Sequence, residues 1–205
     1  MNQFMADLRQ RKGIVELALE FTILTCARSG ETRGAVWSEI DFEEKTWTIP
    51  AVRMKARSEH TVPLSKAALA VLAKVRQITR NIGGPVAASD FIFPNDVTGG
   101  FTTYGKSIFA KQLSANAFIR LLRRMGRDDV TAHGMRSCFR DWVGEESHFP
   151  SDLAELALAH KVGNRVEQAY RRKTGFQKRR VLAEAWAAYC DKQITDAAVL
   201  AFGKR

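Results

Sequence analysis

Apolar residues recur at helical spacing through most of this 205-residue chain, and one stretch, from Phe42 to Pro63, breaks that rhythm. Within it Trp47 and Ile49 alternate with polar neighbours, and H-T-V-P-L follows after a polar link. A two-residue period of this kind predicts two strands joined through Met54 to Glu59, with Pro63 closing the second because proline cannot donate to a ladder. Since the 3.6-residue period prevails elsewhere, the fold class follows: mainly α with one small antiparallel sheet, an α+β domain.

The helices can be placed from the same periodicity. Ile14, Leu17, Ala18, Phe21, Leu24 and Thr25 share one face of a helix spanning about Phe4 to Ala27. After a break at Gly30, Glu31 to Trp37 forms a short further helix. Ser65 caps the next, whose apolar face is Leu64, Ala68, Leu72 and Val75. Residues Asn81 to Gly100 hold most of the Gly and Pro signals and read as loop, with Phe91-Ile92-Phe93 as a possible small strand. Ser114 to Gly126 is helical, Thr131 caps a helix to about Glu146, and Ser151 caps another with Leu153, Leu156 and Ala157 facing inward. A turn at Gly163-Asn164 leads to Arg165 to Arg172. The last long helix, Phe176 to Asp191, buries Val181, Leu182, Ala185, Trp186 and Tyr189.

There is no internal repeat, low-complexity tract or long linker, so residues 1 to 205 are expected to form a single domain. The three cysteines, Cys26, Cys138 and Cys190, contain no C-x-x-C pair and read as reduced thiols, which predicts a cytoplasmic protein without structural zinc. No run of about 18 apolar residues is present, which argues against a membrane-spanning role. With Lys+Arg 32 against Asp+Glu 22, the net charge of +10 points to a polyanionic partner, because basic surface gains affinity by releasing counterions from phosphate. Arg120, Arg123, Arg124 and Arg127 fall at i, i+3, i+4 and i+7, opposite Leu121, Leu122 and Met125. One face can pack while the other meets a DNA backbone, although a merely solvated basic face fits those arginines equally well.

Six further residues are chemically suggestive. His133 and Arg136 project from one face of a first helical turn, near its positive end, where an anion is favoured. Arg28 is followed three residues later by Glu31, whose carboxylate can orient the guanidinium for bidentate work. Lys55 lies on the hairpin between the two strands, His160 at a helix end, and Tyr170 one turn after Val166. Taken singly, each has an ordinary explanation: a capped helix, a hairpin lysine keeping a sheet edge soluble, a half-buried histidine, a packed tyrosine.

Their order removes that ambiguity. T-C-A-R-S-G-E followed by W-S-E-I-D, then H-G-M-R, then L-A-H and A-Y-R-R resemble the boxes T-G-x-R-x-x-E with W-S-D-I-D, H-x-x-R, and L-G-H followed by a tyrosine, found in the tyrosine recombinases, specifically the phage and prophage integrases. The similarity runs from about Ala18 to Trp186. Cys26 and Ala27 depart from the usual Thr-Gly context, and the step from His160 to Tyr170 is one residue longer than is common.

The resemblance implies strand exchange on double-stranded attachment-site DNA through a 3′-phosphotyrosine. Tyr170 is then the nucleophile, Arg28 and Arg136 the phosphate clamp, Lys55 the acid, His133 the proton acceptor and His160 a phosphate ligand, with Glu31 orienting. Arg171 and Arg172 join the four helical arginines as expected DNA contacts. No cofactor and no metal is expected, since two arginines supply the positive charge. A homotetramer on DNA and accessory directionality or DNA-bending proteins are the expected partners. Such proteins usually carry an additional DNA-binding domain upstream, which this chain is expected to lack, and residues 193 to 205 are expected to dock on a neighbouring protomer. A type IB topoisomerase shares the catalytic set, and a non-catalytic DNA-binding regulator would need only the basic helices. A metal-dependent nuclease fits poorly, because no Asp or Glu cluster stands near the histidines.

Overall fold

The computed structural model describes residues 1–83, 86–95, 111–160 and 165–192, with the side chains of 82–83 and 165–174 outside that description. Its centre is α2 (Ile14–Thr25), which meets α1 (Asn2–Arg9), α3 (Ser29–Arg33), α4 (Lys66–Gly83), α5 (Ala117–Arg124) and α8 (Arg165–Asp191). A helix surrounded in this way must be apolar nearly all round. Ala18, Leu19 and Phe21 are indeed fully buried, and the hydroxyls of Thr22 and Thr25 are turned back onto the carbonyls of Ala18 and Phe21, at 2.7 and 2.6 Å. Its one buried carboxylate, Glu20, accepts from Arg9 Nε at 2.6 Å.

The sheet has three antiparallel strands in the order β1 (Ile40–Asp41), β2 (Thr46–Ile49) and β3 (His60–Pro63), with Trp47 opposite Val62 and Ile49 opposite His60. Trp47 and Ile49 are fully buried, Trp47 packing on Phe21 with ring centroids 5.3 Å apart. Beyond the sheet, α6 (Gly134–Glu145), α7 (Ser151–Ala157) and α8 close the core through an aromatic cluster. Trp186 packs against Phe139, Trp142 and Tyr189 and donates its indole N–H to Ile23 O of α2 at 2.9 Å.

The fold class read from periodicity holds, with local corrections. The segment from Phe4 to Ala27 is two helices, because Gly13 takes an extended conformation and lets α1 fold back on α2. Glu31 to Trp37 shortens to α3 plus a 3-10 turn at Trp37–Glu39. The sheet gains β1, too short to show a period, while Phe91 forms only a single bridge, to Val36. Ser65 does cap α4, accepting from Ala68 N at 3.3 Å. Thr131 Oγ1 accepts from Gly134 N at 3.0 Å, as a cap does, but α6 begins at Gly134, two residues later than expected. In α7, Ala154 and Leu158 join Leu153 in the core, in place of the half-buried Leu156 and Ala157. The last two helical segments are one, α8, and Val181 is 60% exposed instead of buried. Residues 193–205 and the turn expected at Gly163-Asn164 lie outside the described residues.

Two positions where the integrase boxes carry glycine stand in left-handed backbone. Cys26, at the glycine of T-G-x-R, has φ 53° and ends α2 in a Schellman turn, with Ala27 N bonded to Thr22 O and Cys26 N to Ile23 O, each at 3.2 Å. Ala159, at the glycine of L-G-H, also has φ 53°. Left-handed backbone costs an L-residue about 1–2 kcal/mol, whereas glycine brings roughly 0.5–1 kcal/mol of extra unfolded-state entropy. Ala159→Gly is therefore expected to raise the unfolding free energy by about 0.5–1 kcal/mol in urea titration.

Candidate active site

The Schellman turn that ends α2 sends the chain through Arg28 into α3, and there Glu31 closes back on it. Glu31 is buried; its carboxylate accepts from Arg28 Nη1 at 2.8 Å and from Arg28 backbone N at 2.7 Å. Arg28 is thereby held at the entrance of α3 with part of its guanidinium still exposed. Glu31 thereby fixes the direction of the Arg28 guanidinium.

Arg136, two residues into α6, is 6% exposed. Its Nη1 donates to Cys26 O and its Nη2 to Leu158 O at 2.7 Å, so one side chain joins the ends of α2 and α7. Burial, followed by the nearby Arg28, lowers its pKa from the usual value, with Glu31 opposing. At a guanidinium this leaves the charge intact.

These groups line a cleft of about 690 Å³ together with Lys55 and His133. Four of the six residues singled out in the sequence are thus brought together: Arg28, Lys55, His133 and Arg136. Arg33, Arg53 and Arg57 line it too, so among the described residues five arginines and Lys55 stand against the single carboxylate of Glu31. A cleft of that composition attracts anions over neutral or cationic ligands.

His160 does not line the cleft. It follows the left-handed Ala159, is exposed, and its Nδ1 lies 2.6 Å from Glu155 Oε2, while Glu155 Oε1 lies 2.9 Å from Arg140 Nε. A carboxylate on Nδ1 makes that nitrogen a donor and fixes the direction of the ring, with Nε2 on its far edge. Tyr170, Arg171 and Arg172 fall on α8, with their side chains outside the described part of the structure. Of the other tyrosines, Tyr189 donates its hydroxyl to Glu146 Oε1 at 2.9 Å, and burial, then that carboxylate, pushes its pKa up to about 12. It packs among Trp142 and Trp186, away from the cleft lining.

The basic helix face needs correction. The α5 helix stops at Arg124, and Gly126, at φ +68°, turns the chain before Arg127, so the four arginines do not share one helical face. Arg120, Arg123 and Arg124 are exposed on α5, as expected, opposite the buried Leu121 and Leu122. Arg124 pairs with Glu16 at 3.4 Å, Arg123 with Asp128 at 3.8 Å, and Arg127 makes two bonds of 2.8 Å to Asp129. None of the four lines the cleft.

Sequence reasoning missed Arg53 and Glu155. Arg53 sits inside R-M-K-A-R, where a cation reads as ordinary hairpin polarity, and Glu155 precedes the L-A-H box on a helix whose acidic residues look solvated. It also missed His60, at the start of β3. Burial, with Arg179 next, lowers the His60 pKa to about 4, and a hydrogen bond to the Ala157 backbone opposes the shift only in part.

Among the described residues no helix is long and apolar enough to cross a membrane, and no group of His, Cys, Asp or Glu is placed to hold a metal ion.

Residues 1–175 match the family described as the phage integrase family. Prophage integrase IntA of Escherichia coli (strain K12) is 37% identical over 80% of this chain, covering 36% of its own length. The integrase of Enterobacteria phage P4 is 32% identical over 92% of this chain and 43% of its own. Prophage integrase IntZ of Escherichia coli (strain K12) is 34% identical over 89% of this chain and 41% of its own. The chain therefore spans about two-fifths of the length of these relatives. No solved structure matches significantly.

His60 also makes the fold sensitive to acid. Above pH 6.5 the imidazole is neutral in both states; below it the unfolded chain takes up a proton that the folded chain refuses until about pH 4. Stability from this residue is complete above pH 6.5 and declines as pH falls through that window. Between pH 7.5 and 5 the chain should lose about 2 kcal/mol more than a His60→Gln variant does, measured by urea unfolding at both values.

Proposed function

The chain belongs to the phage integrase family, and from that membership we propose that it carries out site-specific DNA recombination through a covalent phosphotyrosine. The supporting observation is the convergence of Arg28, Lys55, His133 and Arg136 on one cationic cleft. The substrate is double-stranded attachment-site DNA, and residues 1 to 205 act as the catalytic domain.

In this reading the Tyr170 hydroxyl attacks the scissile phosphorus. The new bond is P–O(Tyr) and the bond that breaks is P–O5′, so the 3′ side stays attached to the enzyme and a 5′-hydroxyl departs. His133 takes the tyrosine proton, and Lys55 gives one to the leaving 5′-oxygen. Arg28 and Arg136 hold the non-bridging oxygens, where charge accumulates as the phosphorane forms, and His160 adds a hydrogen bond through Nε2. Religation to a partner strand runs the same steps backwards, so the bond energy is retained and no nucleotide is consumed. The two arginines provide the charge neutralisation that metal ions supply in other phosphoryl-transfer sites.

The remaining assignments follow from the same reading. Arg120, Arg123, Arg124, Arg127, Arg171 and Arg172 contact the DNA backbone, with Arg123, Arg124 and Arg127 exchanging exposed ion pairs for phosphates. The active assembly is a homotetramer on DNA in which residues 193–205 dock on the neighbouring protomer, and accessory directionality or bending proteins join it. The protein works in the cytoplasm.

Tyr170→Phe should retain DNA binding and lose the denaturant-stable adduct that the unaltered chain forms with a nicked suicide substrate. Persistence of the adduct in that variant would show that another residue is the nucleophile.

A further inference from the structure

Lys55 needs a fixed place beside the leaving oxygen, yet it is exposed and sits in a turn. Two residues before it, Arg53 does what Lys55 cannot do for itself. Arg53 closes the 3-10 turn Ala51–Arg53 that follows β2. Its Nη1 donates to Glu31 O at 2.9 Å and its Nη2 to Glu39 Oε2 at 2.5 Å. Glu39 is itself anchored, since the same Oε2 accepts from the indole N–H of the fully buried Trp47 at 2.9 Å. Glu31, at the other end, is the residue whose carboxylate grips Arg28. A continuous series of bonds therefore runs from the sheet core at Trp47 through Glu39, Arg53 and Glu31 to Arg28.

That series crosses between the two elements that must be in register for the proposed chemistry, the β2–β3 connection and the α3 entrance. A planar guanidinium can satisfy two acceptors in different directions at once, whereas an ammonium acts as a point charge. Between Arg53 and Lys55, Met54 is buried at 3% exposure, so the turn is fixed from Arg53 to Met54 and the lysine projects from a held base.

We propose that Arg53 is a positioning residue: by bridging Glu39 to the Glu31 carbonyl, it sets Lys55 against the phosphate that Arg28 holds. This rests on the reading of Lys55 as the acid for the leaving 5′-oxygen. Arg53 itself transfers no proton. Displacing a proton donor by about 1 Å is enough to cost about 100-fold in rate, so loss of the bridge weakens protonation of the leaving group and spares the arginine clamp.

The test compares single-turnover cleavage of two nicked suicide substrates, one with the ordinary 5′-oxygen and one with a bridging 5′-sulfur at the scissile phosphate. A thiolate leaves without a proton, so the sulfur substrate removes the need for the acid. Lys55→Ala should be about 100-fold slow on oxygen and recover to within a few-fold of the unaltered chain on sulfur. Arg53→Lys, which keeps the charge in the cleft, and Glu39→Gln, which leaves every cleft residue in place, should each be about 10-fold to 100-fold slow on oxygen and recover likewise. Urea unfolding of each variant identifies any that fail to fold, and Glu39→Gln then decides if Arg53→Lys does not. Recovery of all three supports the proposal. If Lys55→Ala recovers while the Arg53 and Glu39 variants are equally slow on both substrates, or are not slow on oxygen, Arg53 does not position the lysine. If Lys55→Ala itself fails to recover, the lysine is not the acid, and the proposal falls with that reading.

Discussion

The site depends on a buried arginine between two helix ends. Helix C-termini leave carbonyls without intrahelical partners and carry partial negative charge, and Arg136 satisfies one such carbonyl at each of two helices, Cys26 O after α2 and Leu158 O after α7. Both helices end beside a left-handed residue, Cys26 itself and Ala159, which turns those carbonyls toward a common point. Removing a guanidinium from water is expensive, and the lowered pKa of Arg136 records that cost. The cost is tolerated because two elements that carry functional residues, the Arg28 segment and the His160 segment, are fixed relative to α6 by the same side chain.

The electrostatics follow from that arrangement. Arg28 and Arg136 repel each other, and Glu31 moderates the repulsion while orienting Arg28. The surrounding Arg33, Arg53, Lys55 and Arg57 add like charge, with no second carboxylate among the described residues of the cleft lining. An anionic ligand relieves this repulsion, and one that gains negative charge while bound relieves it most. Repulsion among the cleft cations and affinity for an anion are thus two aspects of one charge distribution.

Much of the site was legible because its boxes are local. Arg28 with Glu31 and His133 with Arg136 each span one helical turn, so sequence spacing conveys their geometry directly. Trp47 and Ile49 announced their strand by alternation, and Lys55 was placed on its hairpin for the same reason. What escaped notice depends on partners distant in the chain or on backbone shape. The two acceptors of Arg53 come from the α3 region and the following 3-10 turn, and nothing in R-M-K-A-R indicates which of its cations is buried against them. Similarly, the helical period runs on past Arg9, so the break at Gly13 is visible only from the way α1 packs back on α2. Arg127 was placed on a helical face by counting, but the left-handed Gly126 ends the count one turn too early.

The claim that Arg136 holds the site together, and is more than a phosphate ligand on a preformed surface, is tested most directly by the unfolding free energy of Arg136→Ala in urea without DNA. Loss of the side chain strands two buried helix-end carbonyls, so a decrease of about 2–4 kcal/mol is predicted. A change within about 0.5 kcal/mol, the range of an ordinary surface substitution, would contradict it.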